Sequence, residues 1–84
     1  GSSTIKITES GFENTDGGEV SVQKGSVLKF KNTDDKIHNI NIGGLAIDKN
    51  IASGESMSIE FNEIGTFKIR DDLGGSSFYV QVEY

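Results

Sequence analysis

One imidazole, His38, is the only side chain in this 84-residue sequence whose ordinary pKa lies near neutrality, and there is no cysteine at all. Cysteine nucleophiles, disulfides and thiolate metal sites are therefore excluded, and the redox compartment is not indicated. A Ser-His-Asp catalytic set would need His38 beside a serine and an oxyanion hole, and no motif points to that pairing. Asp71 and Asp72 are adjacent at what reads as a strand end, so they face opposite ways and cannot share a proton as a dyad. The oxygen-rich stretches Asn14-Thr15-Asp16-Gly17-Gly18-Glu19 and Asn32-Thr33-Asp34-Asp35 lack the carboxylate spacing and terminal glutamate of an EF-hand loop. They read as turns.

The elements that position these residues follow from period-2 alternation, the signature of strands with one buried face. Ile5 and Ile7 mark a first strand and Val20 and Val22 a second. Leu28 and Phe30, with Val27 on the opposite side, mark a third; Ile40 and Ile42, with Asn39 and Asn41 pointing outward, mark a fourth. The sets Met57, Ile59, Phe61, then Phe67, Ile69, then Phe78, Val80, Val82 define three more. Turn signals separate them at Asp16-Gly17-Gly18, Lys24-Gly25, Asn32-Thr33-Asp34, Gly43-Gly44, Ser53-Gly54 and Gly74-Gly75, where glycine supplies positive φ and Asn or Asp bonds the local backbone. Leu45–Ala52 fits neither period and reads as a loop with one helical turn or a short edge strand. Tyr79 and Tyr84 read as packing or edge residues. With no proline to protect edges, Lys6, Lys29, Lys31 and Lys68 are expected as edge gatekeepers.

Length and composition set the class. Eighty-four residues make one domain, and eleven glycines among short apolar runs indicate an all-β sandwich or barrel. Gly1–Ser3 reads as a cloning remnant, with the domain running from 4 to 84. The net charge of −5 disfavours nucleic acid and anionic membrane surfaces as partners, no apolar run approaches the length of a membrane span, and a monomer is expected.

Parity also places the candidate site. His38 shares its side with Ile40 and Ile42, and Asp71 with Phe67 and Ile69, so both side chains turn inward at the ends of their strands.

The chain resembles the cupredoxins, small blue-copper β-sandwiches of the plastocyanin type. The resemblance runs through Ile5-x-Ile7, Gly11-Phe12, Val20-x-Val22, Gly25, Leu28-x-Phe30-x-Asn32-x-Asp34, His38-Asn39, Ile51-Ala52-x-Gly54-Glu55-Ser56, Phe61 and Gly65-Thr66-Phe67. It implies a Greek-key sandwich of seven or eight strands with copper at one end. It also implies that His38 stands at the first ligand position, Asp71 where the copper-binding cysteine would fall, Gly74 near the second histidine and Ser77 near the methionine. Three of the four ligands are thus absent, and no Cys, His or Met lies in 71–84. If the family geometry persists, His38 and Asp71 converge where copper would have sat and form a hydrogen bond or ion pair. One imidazole and one carboxylate are too few to hold copper or zinc tightly, so no metal and no cofactor is expected.

These readings lead to a cofactor-free cupredoxin-like domain with a structural or scaffold role and no enzymatic activity. The alternatives are an inactivated variant of a copper-binding electron-transfer protein, and an extracellular sandwich module that binds a partner through loops such as 43–50. Natural loss and deliberate replacement of the ligand loop leave the same trace; the glycine- and serine-rich stretch Leu73–Ser77 leans toward replacement. The family implies an exported, periplasmic or extracellular location.

Overall fold

The structure, a computed structural model, describes residues 2–13, 15 and 18–84. The expected turn at Asp16-Gly17-Gly18 and the oxygen cluster of residues 14–19 lie in part outside the described residues.

Among the described residues, nine strands form two facing sheets. The first sheet runs in the order β2-β1-β4-β7, with β1 Ser2–Thr8, β2 Gly11–Phe12, β4 Ser26–Asn32 and β7 Ser56–Phe61. The second runs β3-β9-β8-β5-β6, with β3 Glu19–Gln23, β9 Ser77–Glu83, β8 Gly65–Arg70, β5 His38–Ile42 and β6 Ile47–Ile51. Each sheet contains one parallel pairing, β1 with β4 and β3 with β9, so the chain repeatedly crosses between layers. Ser2 and Ser3 pair with Val27 and Leu28, which makes them part of the first sheet whatever their origin.

The alternating residues supply the core. Ile5, Ile7, Leu28, Phe30, Ile59 and Phe61 from one sheet meet Ile40, Ile42, Phe67, Ile69, Phe78, Val80 and Val82 from the other, in a single buried cluster. Full burial of each such side chain contributes about 1.5–3 kcal/mol. At one end Phe12 packs edge-on against Phe78 with ring centroids 4.9 Å apart and against Phe30 at 6.2 Å, tying both sheets together.

The ambiguous stretch resolves into both of its options. Gly43–Leu45 forms a short 3-10 helix closed by Ala46 in the left-handed region, and β6 follows as an edge strand beside β5. The two-residue β2 brings the strand number to nine, beyond the seven or eight anticipated; two residues are too few to show alternation.

The gatekeeper expectation is corrected for Lys29, Lys31 and Lys68. Lys29 and Lys31 lie on β4 and Lys68 on β8, strands with neighbours on both sides, whereas Lys6 lies on β1, which the two-residue β2 covers only at Ile7 and Thr8. Sequence alternation finds strands but does not reveal which ones end up at an edge.

Candidate functional site: a charge clamp at one end of the sandwich

The site forms where β5 begins and β8 ends. In β5 the inward set His38, Ile40 and Ile42 is buried, and in β8 Phe67 and Ile69 are followed by Asp71, 1% exposed. His38, 5% exposed, and Asp71 meet through Nδ1 of the imidazole and Oδ2 of the carboxylate. On the other side of the ring, Nε2 lies 2.7 Å from Asp34 Oδ2. Asp34 is the partner that sequence reasoning missed.

Asn32 explains how Asp34 gets there. Fully buried at the end of β4, it donates through Nδ2 to the carbonyls of Lys36 (2.8 Å) and Ile51 (2.9 Å), while its Oδ1 accepts the Asp34 N–H (2.9 Å). This folds residues 33–37 into a tight loop over the start of β5. Ser53 Oγ donates to the Asp34 carbonyl at 2.6 Å, and Asp35 N–H to Asp34 Oδ1 at 2.8 Å, so the carboxylate is aimed at the imidazole. The available signal was the pairing of Asn32 and Asp34, two Asx-turn formers, four to six residues ahead of His38.

Asp71 organises the other loop. Its Oδ1 accepts three backbone N–H groups, from Asn39 (2.9 Å), Leu73 (3.1 Å) and Gly74 (2.9 Å). The loop is closed by Asp71 N–H to the Ser76 carbonyl at 2.9 Å and by Gly75 N–H to the Asp71 carbonyl at 2.7 Å. Three donors converging on one oxygen form a small anion nest, filled by the chain's own carboxylate. Ser76 then rests against Gly11, where an added Cβ would come within 2.8 Å of the Ser76 Cβ.

Charge follows from the geometry. Carboxylates only accept hydrogen bonds when ionised, so an imidazole held between two of them carries protons on both nitrogens. Burial opposes the imidazolium, but the hydrogen bonds to Asp34 and Asp71 and their charges outweigh it, raising the His38 pKa above its usual value. Burial likewise pushes the Asp71 carboxyl up, and the Gly74 N–H, the His38 ring and the Asn39 N–H together more than reverse this, leaving it below the usual carboxylate range. For Asp34 the hydrogen bond from His38 dominates and lowers the pKa. Below the raised His38 pKa the site is therefore a carboxylate–imidazolium–carboxylate clamp.

The remaining sequence candidates separate from this site. Asp72 is exposed and pairs with Arg70, Oδ1 to Nε at 3.1 Å and Oδ2 to Nη2 at 3.2 Å. Asn39 lies on the outward side as parity requires, yet it is buried, because Nδ2 donates to Asp48 Oδ1 (2.9 Å) and Asn50 Oδ1 (3.0 Å) on the neighbouring edge strand. Gly74 lies over the clamp: a Cβ there would collide with Asp71 Oδ2 and come within 2.9 Å of His38 Nδ1. Leu73 is exposed, and Ser77 begins β9 with its side chain outward.

These residues do not fit a copper ion. No thiolate is available, both imidazole nitrogens already face carboxylates on opposite sides of the ring, and the space above Gly74 is taken up by the His38–Asp71 pair. Among the described residues, no group of three or more His, Cys, Asp or Glu side chains is arranged to hold a metal ion.

A profile describing the cupredoxin-like domain matches residues 2–79. Among solved structures, a copper(I) form of an amicyanin variant superposes with a TM-score of 0.82 at 20% identity, covering 95% of this chain and 80% of that one. An oxidised amicyanin variant gives 0.82 at 20% identity, covering 99% and 83%. A purple cupredoxin from Nitrosopumilus maritimus gives 0.75 at 15% identity, covering 96% and 99%. At these identities the likeness concerns the fold. No curated protein sequence matches the chain.

Proposed function

The chain belongs to the cupredoxin-like domain family, and from that premise we propose that it is a cofactor-free, non-enzymatic member whose ligand end is rebuilt as a charge clamp, serving a structural or scaffold role. The observation that carries this reading is the engagement of both His38 nitrogens by carboxylates, with Asp71 held by three backbone N–H groups. A metal ion entering here would have to displace two ionised partners from the ring and would gain no thiolate in return.

In this account His38 and Asp71 are no longer metal chemistry. They anchor two loops, 33–37 and 71–76, to the end of the sandwich. The domain acts as a monomer, and its family points to an exported location. The copper named in the amicyanin neighbour supports descent from a copper-binding electron-transfer protein whose ligands have been replaced.

Calorimetric titration with copper(II), followed by electron paramagnetic resonance, tests the reading. The expected result is no saturable heat at micromolar protein and only the signal of the aqueous ion. A one-to-one complex whose signal disappears in His38→Ala would overturn it.

A further inference from the structure

Three of the eight lysine and arginine residues gather on the outward face of the first sheet. Register places Lys6 directly beside Lys31, and Lys29 lies two residues along from Lys31 on the same side of β4. All three side chains are exposed, and none of the ion pairs among the described residues involves them. The other five lysine and arginine residues lie elsewhere in the chain; on this face Glu13 stands opposite Lys6, its N–H donating to the Lys6 carbonyl at 2.8 Å, and Glu60 follows Ser58 along β7. Like charges on adjacent strands disfavour one another, and β4, which carries Lys29 and Lys31, is interior, so protecting an edge does not account for those two.

Beside them lies an edge strand with no second neighbour among the described residues. β7, Ser56-Met57-Ser58-Ile59-Glu60-Phe61, pairs with β4 on one side only, and it carries neither proline nor lysine. Lys29 faces Ser58 and Lys31 faces Ser56 across the β4–β7 register. The two serines are short, so they leave room for an extended lysine to reach over them toward the open edge. A strand added there would lie about 10 Å from β4, two strand spacings away, within reach of a lysine and a glutamate extended toward each other.

We propose that β7 accepts an extended acidic peptide segment of a partner protein as an additional strand. Main-chain hydrogen bonds to the free edge hold it, and its carboxylates at alternating positions, opposite Ser56 and Ser58, are read by Lys31 and Lys29. Glu60 completes the selectivity: it disfavours an acidic residue at the next position on that face. A second copy of this chain fits less well, because joining two β7 edges would concentrate six lysines on one continuous face. The reading is independent of what occupies the His38 end.

The test uses the whole chain labelled with 15N and a synthetic peptide with glutamate at two alternating positions and valine and threonine at the others. Amide shift changes and slowed hydrogen exchange are expected along Ser56–Phe61. The affinity should weaken about tenfold in the doubly substituted K29Q/K31Q variant, remain unchanged in K49Q, and fall as salt shortens the Debye length from about 30 Å to about 10 Å. No binding at millimolar peptide, equal binding by K29Q/K31Q, or equal binding of a peptide with lysine in place of glutamate would overturn the proposal. So would lysine-dependent dimerisation, or lysine-dependent binding to vesicles of phosphatidylserine and phosphatidylcholine, without peptide binding.

Discussion

The backbone N–H of Asn39 donates to the carboxylate of Asp71 at 2.9 Å, joining the residue that follows the sole imidazole to a residue 32 positions later. With the His38 ring on the other carboxylate oxygen, one aspartate fixes the start of β5 against the end of β8. That strand pair is otherwise joined in register only at Asn41 and Arg70, so the clamp supplies a connection that the ladder lacks.

Removing the charge of Asp71 tests this link. Asp71→Asn preserves the shape and one acceptor oxygen but leaves His38 with a single anionic partner in a buried setting. We expect a loss of about 3 kcal/mol, the range seen when one member of a buried pair is deleted. Urea unfolding at pH 6 measures it. A loss too small to resolve would mean that the carboxylate acts only as a hydrogen-bond acceptor.

Asp34→Asn should cost less, because Asp34 sits on the outer loop while Asp71 is enclosed. Its signature is the imidazole: the His38 pKa should fall toward 6.5, its usual value, as the first of its two supporting partners is neutralised. An NMR titration of the ring resonances measures the shift. An unchanged His38 titration would show that the Nε2 contact carries no charge stabilisation.

The pH dependence has a definite sign on each side. His38 has a folded pKa above 6.5, so its contribution is fully present below 6.5 and is lost as pH rises through the raised folded value. Asp34 and Asp71 have folded pKa values below 3.8, so their contributions are present above 3.8 and are lost as pH falls through the lowered values. The clamp's stabilisation is therefore greatest between 3.8 and 6.5. Urea midpoints across pH 3–9 should show this window in the native chain and lose its alkaline limb in His38→Gln.

Gly74→Ala places a methyl group against the His38–Asp71 pair, and its nearest neighbours are a ring and a carboxylate already held on several sides. Overpacking of this kind costs about 1–3 kcal/mol. A lowered midpoint together with a lowered His38 pKa is expected. A lowered midpoint alone would point to the loop backbone instead.

Much of this architecture is legible in the sequence because strand periodicity survives into the structure. Ile5 and Ile7, Leu28 and Phe30, and Phe78, Val80 and Val82 are buried where alternation puts them. The inward parity of His38 and Asp71 is local information, readable from Ile40 and Ile69. The role of Asp34 is not local: it depends on Asn32 reaching the carbonyl of Ile51, nineteen positions away, to fold the loop back. Edge positions are lost for a similar reason. Whether Lys29 guards an edge depends on β1 pairing in parallel beside β4, which no window of sequence encodes.

The central claim is that His38 is a buried imidazolium held by two carboxylates rather than a metal ligand. Its most direct test is the 15N spectrum of the His38 ring at pH 6, recorded before and after one equivalent of zinc(II). The account predicts that both nitrogens are protonated and that neither resonance moves when the metal is added. A neutral ring at pH 6, or a nitrogen resonance that shifts and saturates at stoichiometric zinc, would contradict it.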